Sequence, residues 1–114
     1  MKVLVCGSRH WDDDRKILDR LSKLPKGTFI IQGGANGADS MAKRAAKLLG
    51  FTVWTVSAEW NKFGKAAGPT RNRRMLDLEP DLVIAFHNDL TTSKGTIDTI
   101  NEAKRRGIKV EVVV

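Results

Sequence analysis

Gly33-Gly34-Ala35-Asn36-Gly37 separates an apolar run, Thr28 to Gln32, from an amphipathic run that opens with Ala38 and Asp39. Glycines let a backbone approach a ligand closely. A helix that starts beyond them offers unpaired N–H groups and a partial positive charge. The chemistry this suits is the cradling of an anion, phosphate above all, although a plain turn between strand and helix uses the same glycines. Gly33, Gly34, Ala35, Asn36, Gly37, Ala38 and Asp39 are therefore candidate ligand contacts. Ser93-Lys94-Gly95-Thr96 also precedes a helical run, and adds Gly95 and Thr96.

A second concentration of chemistry lies between Trp60 and Leu76. It holds Lys62, Lys65, Arg71, Arg73 and Arg74, five of the chain's 20 basic residues, and no acid. Arginine can grip a phosphate with two parallel hydrogen bonds, and Trp60 or Phe63 can stack on a base. A solvated helix face with two packed aromatics is the plainer alternative. Arg71 and Asn72 follow Gly68-Pro69, near a helix start, where their side chains can turn into a pocket.

The carboxylates available for acid–base work are Asp12, Asp39, Glu59 and Asp98. Asp39 is read as a helix-start acid or a holder of a ribose hydroxyl. Glu59, beside Trp60, is the choice if there is catalysis, together with Arg71. His10 and His87 read as structural histidines, Cys6 as a core thiol, and Trp54 as a core residue within a strand. Asp12 to Asp14 read as acids at the positive end of a helix, not as metal ligands. No metal site is expected, since Cys6 and two distant histidines have poor ligand spacing. No cofactor is expected: neither a full P-loop nor a Gly-x-Gly-x-x-Gly fingerprint after the first strand is present.

These residues hang on an alternation of short apolar and longer amphipathic runs. Strands are predicted at Lys2–Cys6, Thr28–Gln32, Phe51–Val56, Asp81–Phe86 and Lys109–Val114. Helices are predicted at Asp12–Leu24, Ala38–Leu49 and Thr96–Arg106, with another over Thr70–Leu76. Ile97, Ile100 and Ala103 are expected inward. Strands alternating with helices imply a parallel sheet covered on both faces. The fold class is α/β: a Rossmann-like three-layer α/β/α sandwich with a five-stranded, mainly parallel sheet, forming one domain over residues 1–114. In such folds ligands sit beyond the carboxyl ends of the strands. That rule adds Gly7, Ser8 and Arg9, after the first strand, to the candidate contacts.

Of the 114 residues, 41% are hydrophobic, which excludes general disorder. No run of 18 apolar residues is present, so no membrane span or membrane partner is expected. The single cysteine and the absence of a secretory pattern lead to the expectation of a reducing cytoplasm. Lys and Arg total 20 against 13 Asp and Glu, a net charge of +7. That surplus suits either nucleic acid or a phosphorylated small molecule.

The ordered set Val5-Cys6-Gly7-Ser8-Arg9, Gly33 to Asp39, Ala58-Glu59-Trp60, Gly64, Ala67-Gly68-Pro69, Arg71 to Met75, Ala85-Phe86 and Gly95-Thr96 resembles the YspA-like branch of the SLOG superfamily. The superfamily is named for the DNA-processing SMF/DprA proteins and the LOG cytokinin-activating enzymes. The resemblance spans essentially the whole chain. It implies a Rossmann-like domain of bacteria or phages that binds nucleotides or nucleotide-derived ligands such as ADP-ribose-like molecules, and a homodimer as a common state. LOG relatives hydrolyse the N-glycosidic bond of nucleoside 5′-monophosphates. Their signature is Pro-Gly-Gly-x-Gly-Thr-x-x-Glu, with an arginine in the preceding helix. Arg71 matches that arginine and Gly95-Thr96 the Gly-Thr step. The glutamate position falls on Thr99, and Asp98 lies about 100° further round a helix.

Three functions follow as expectations. The first is a sensor or processing domain for a nucleotide-derived small molecule such as AMP, ADP-ribose or an NAD-related molecule. The second is a LOG-like phosphoribohydrolase, which needs a carboxylate to activate water. The third is a single-stranded nucleic-acid-binding module with Lys62, Lys65, Arg73 and Arg74 as its basic track.

Overall fold

Leu82-Val83-Ile84-Ala85-Phe86 is apolar at every position, and every one of these residues is buried. Such a strand can only lie inside a sheet covered on both faces. In the computed structural model, which describes residues 1–88 and 94–114, it is β4 of a five-stranded sheet. The elements run β1 (Lys2–Gly7), α1 (Asp14–Leu21), β2 (Phe29–Gln32), α2 (Ala38–Leu48), β3 (Thr52–Thr55) and α3 (Trp60–Phe63). A 3₁₀ turn (Gly64–Ala66), α4 (Ala67–Asp77), β4 (Leu82–Phe86), α5 (Lys94–Arg105) and β5 (Lys109–Val113) follow.

The strand order is β3-β2-β1-β4-β5, and every pairing is parallel. This is the doubly wound arrangement expected from the sequence, with β1 at the centre and the winding direction reversing between β1 and β4. Alternate side chains feed two cores. Val3, Val5, Ile30, Ile84 and Phe86 pack with Ile17, Leu21, Ala42 and Ala46 of α1 and α2. Leu4, Cys6, Ile31, Val83 and Ala85 pack with Met75, Leu76, Ile100 and Ala103 of α4 and α5.

Several element limits differ from the periodicity reading, each for a local reason. The first helix begins at Asp14 because Asp13 caps it, its Oδ1 accepting from the Lys16 N–H at 3.1 Å. It ends at Leu21, and the chain reaches Pro25 through the looser turn of Leu24 N–H to the Leu21 carbonyl. The fourth helix starts at Ala67, three residues before the predicted Thr70. Gly68 and Pro69 fall in its first turn, where proline has no intrahelical donor to lose. Its neighbour α3 has no buried residue and no periodic signal. Lys94, not Thr96, is the first residue of α5, and Ser93 lies outside the described residues. Ile97 is only half-buried, while Ile100 and Ala103 point inward.

Trp54 is not a core residue. It is 36% exposed on edge strand β3, where its indole leans on the Phe29 ring at 5.0 Å. Among the described residues, the core that α4 and α5 form on that face takes in β1, β4 and Ile31 of β2, and no residue of β3. Among the described residues no helix is long and apolar enough to cross a membrane.

Candidate functional site

Where the winding reverses, the carboxyl ends of β1 and β4 open a crevice of about 440 Å³. One bank is the segment Cys6 to His10. Arg71, Asn72 and Met75 of α4 and Lys94, Gly95, Thr96 and Thr99 of α5 form the other, with His87, Ala35 and Asp39 between them.

Two close backbone approaches shape it. Ser8 joins three elements, its N–H donating to the Phe86 carbonyl and its carbonyl accepting from the Ala38 N–H, both at 3.0 Å. A side chain at Gly7 would put Cβ 2.2 Å from the Phe86 oxygen, and one at Gly37 would put it 2.4 Å from the Ser8 oxygen. Both glycines also hold positive φ, 154° and 74°. They set the first loop directly against the start of α2.

Three amides of the glycine loop, those of Gly33, Gly34 and Ala35, donate within the protein itself. Asp39 folds back from α2, and its Oδ2 accepts from the Gly33 N–H at 3.1 Å and the Ala35 N–H at 3.3 Å. The Gly34 N–H donates to the Gln32 Oε1 at 2.6 Å, and the Gln32 amide nitrogen donates to the Thr55 hydroxyl. The protein's own carboxylate thus takes two of the N–H groups that the sequence offers as ligand contacts. Asp39 is buried. Burial pushes its carboxyl up to about 6, against the pull of the Ala35 N–H, the Arg71 guanidinium and the Gly33 N–H. Burial, reinforced by the Asp39 charge, likewise pushes the Cys6 thiol well up. Cys6 is a neutral core thiol, as its strand position suggests.

The positive charge of this crevice comes from side chains. Among the described residues, Arg9, Arg71 and Lys94 line it against the single acid Asp39. Arg71 is held at two points: Nη1 donates to the Gly33 carbonyl at 2.8 Å and Nε to the Asn72 Oδ1 at 3.1 Å. Asn72, buried, donates onward to the Asp98 carboxylate at 3.1 Å and the Gly95 carbonyl at 3.4 Å. The glycine loop, α4 and the first turn of α5 are linked through these two side chains. A guanidinium fixed this way is pre-organised for an anionic group.

On the far side of Arg71 lies a second hollow of about 390 Å³. Its lining includes Gly33 to Asn36, Ser57, Ala58 and Trp60, and it shares Arg9, Ala35 and Arg71 with the first. Trp60 is 57% exposed. Glu59 lines neither hollow, and its carboxylate pairs with Arg74 at 3.3 Å on the open surface. The structure therefore separates Glu59 from the crevice that Arg71 lines. Arg73 reaches back to the Pro69 carbonyl, and Lys62 lies 5.2 Å over the Phe63 ring. Lys65 sits in the exposed 3₁₀ turn.

Gly7, Ser8, Arg9, Ala35, Asp39, Arg71, Asn72, Gly95 and Thr96 thus meet at one crevice. Gly33, Gly34, Asn36 and Trp60 meet at the adjoining hollow, and Gly37 and Ala38 act behind both. Cys6 and Met75, absent from the loops that the sequence singles out, also line the crevice, as do His10, His87, Lys94 and Thr99. Cys6 stands at the end of β1, so the strand-end rule, which reaches His87 after β4, could have included it.

A family model described as the YspA, cpYpsA-related SLOG family matches residues 1–63. The Gene 61 protein of Mycobacterium phage D29 is 37% identical over 118 residues, covering 96% of this chain and 93% of that protein. In shape, DNA processing protein A (DprA) from Streptococcus pneumoniae superposes with a TM-score of 0.83 at 22% identity. The match covers 99% of this chain but only 50% of that one, so the chain spans half the length of that protein. The structural genomics target TM1055 superposes with a TM-score of 0.69 at 19% identity, over 96% of this chain and 71% of that one. At these identities the two structures show a shared Rossmann-like fold.

Proposed function

The chain belongs to the YspA, cpYpsA-related SLOG family, and from that premise we propose that it binds a nucleotide or nucleotide-derived ligand as a sensor or processing domain. AMP, ADP-ribose and NAD-related molecules are the ligand types. The observation that carries the reading is the Arg71 guanidinium, held by the Gly33 carbonyl and Asn72 on the wall of the switch-point crevice. In this reading Arg71, with Arg9 and Lys94, takes the phosphate. Ser8, Asn72 and Thr96 offer polar groups to the sugar or base, while Gly7, Gly37 and Ala38 set the loop approach. The cytoplasm of a bacterial cell or infected host is the proposed location, and the phage relative agrees with that origin. A homodimer is proposed with it.

Calorimetry and thermal shift against AMP, ADP-ribose, NAD and cyclic nucleotides test it. A ligand at 100 times its Kd adds about 2.7 kcal/mol of stability. The Arg71→Ala protein is expected to lose that response while keeping its fold. A folded wild-type chain that none of these ligands stabilises rejects the reading.

Two other readings have support of their own. Arg71 and Gly95-Thr96 line one crevice, as the LOG resemblance implies for a phosphoribohydrolase. Thr99 lines it where that pattern has glutamate, and Asp98 is engaged by Asn72. Free base released from a nucleoside monophosphate is the test. The fold likeness to a DNA processing protein favours single-stranded nucleic-acid binding, tested by salt-sensitive binding of oligonucleotides.

A further inference from the structure

The geometry points to a two-headed ligand: two planar ring systems joined through phosphate, one ring in the β1–β4 crevice and the other against Trp60. The inference rests on the nucleotide reading above and narrows its ligand class.

Two hollows flank one wall. Their shared residues are Arg9, Ala35 and Arg71, two cations and a methyl group. Such a wall suits an anionic bridge passing from one hollow to the other. Arg71 cannot swing wholly into either hollow, since Nη1 and Nε are both held. The bridge must therefore come to the guanidinium. At about 440 and 390 Å³, each hollow lies in the range of small-molecule sites. A mononucleotide in the first leaves the second unused.

The two hollows also differ in chemistry. The polar side chains of Ser8, Asn72, Asp39 and Thr96 line the first. The second presents an indole beside the small residues Gly33, Gly34 and Ala58, with hydroxyl and amide groups from Ser57 and Asn36. The edge of the Trp60 ring abuts Gly68 at the start of α4, where a Cβ would lie 3.5 Å from Cη2. The ring is thereby located yet remains more than half exposed. An exposed, located indole beside two arginines is a stacking platform for a second heterocycle.

The test compares ADP with diadenosine pyrophosphate on the full chain, by calorimetry and by tryptophan fluorescence. The two probes share the pyrophosphate and differ by a second adenosine. Diadenosine pyrophosphate is expected to bind at least tenfold more tightly and to quench Trp60 emission. Trp60→Ala is expected to weaken it by about 5- to 150-fold while changing ADP affinity less than twofold. Trp60→Phe keeps a stacking face and restores most of the affinity. Because Trp60 lies at the surface, the fold tolerates both changes. Equal affinity for the two probes, or a Trp60→Ala protein that binds both as well as wild type, overturns the second subsite and leaves the first crevice standing. Equal weakening of both probes by Trp60→Ala also overturns it, by placing the first ring on Trp60. If neither probe binds, and none of the nucleotides above stabilises the chain, the nucleotide reading itself falls and takes this inference with it.

Discussion

The guanidinium of Arg71 grips the carbonyl of Gly33 at 2.8 Å, across 38 residues of chain. The contact is possible because Gly33 has no side chain: a Cβ there would lie 2.5 Å from Arg71 Nη1 and 3.0 Å from Asp39 Oδ2. Gly33→Ala is therefore a way to move the guanidinium without deleting it. The obstructing atom is the tip of a flexible side chain, so stability should change by less than about 1 kcal/mol. Nucleotide affinity should fall about tenfold or more, the cost of a misplaced charge-assisted hydrogen bond. Denaturant melts and calorimetry on one sample read both quantities.

Charge alone does not account for Arg71. Lysine has one nitrogen where Arg71 holds Gly33 and Asn72 from two, so it lacks the planar fork that keeps further donors aimed at a ligand. Arg71→Lys is expected to lose nearly as much nucleotide affinity as Arg71→Ala. A lysine variant that binds like wild type would show that only a diffuse positive charge matters.

Gly7→Ala meets backbone rather than a flexible tip, at 2.2 Å from the Phe86 oxygen. The strands must part or the loop must lift. The expected loss is about 2–4 kcal/mol, measured as a fall in denaturation midpoint. The contrast with Gly33→Ala separates a glycine kept for the fold from one kept for the site.

Asp39 makes stability depend on pH in an unusual direction. Its native carboxyl titrates near 6, above the ordinary 3.8. Between these values the folded chain binds more protons than the unfolded one, so this group's contribution falls as pH rises. Wild type minus Asp39→Asn stability should therefore decline by up to about 3 kcal/mol from pH 4 to pH 7. Glu111 runs the other way. Its carboxylate is held low by Arg20 at 2.6 Å, so its contribution is present at neutral pH and lost on acidification. That pair is part-exposed, and Glu111→Gln should cost under about 1 kcal/mol.

Glu59 tests the hydrolytic reading. Its carboxylate faces Arg74 and lines neither hollow. Glu59→Gln is expected to leave nucleotide affinity within twofold of wild type. Base release that disappears in this variant would restore Glu59 as a catalytic group.

Much of the scaffold was legible in the sequence because burial on both faces leaves continuous apolar runs, as in Leu82 to Phe86. The loops beyond those strands followed from them, and Ser8 and Arg9 do converge with Arg71 and Asn72 on one crevice. What was not legible depends on how distant parts dock. Trp54 has the composition of a core residue, but β3 is an edge strand and leaves its indole part-exposed. Asp39 has the position of a simple helix-start acid. Its turn back onto Gly33 and Ala35 depends on the loop's shape, which residue types do not specify. Glu59 and Trp60 are adjacent in sequence, yet α3 sends the indole to the second hollow and the carboxylate to Arg74.

The strand order has a kinetic meaning. Lys2 pairs with Phe29, 29 − 2 = 27 residues away, whereas Val3 pairs with Leu82, 82 − 3 = 79 residues away. Loop closure for the second contact carries the larger entropy cost, so β3-β2-β1 can zip locally before β4 and β5 join. The crevice lies along that late seam. A ligand spanning Ser8 on one bank and Thr96 on the other acts as a staple across it, slowing the seam's opening more than it stiffens either half. Amide exchange in β4, β5 and the last turns of α5 is where occupancy of the site will be felt most, beyond the residues the ligand touches.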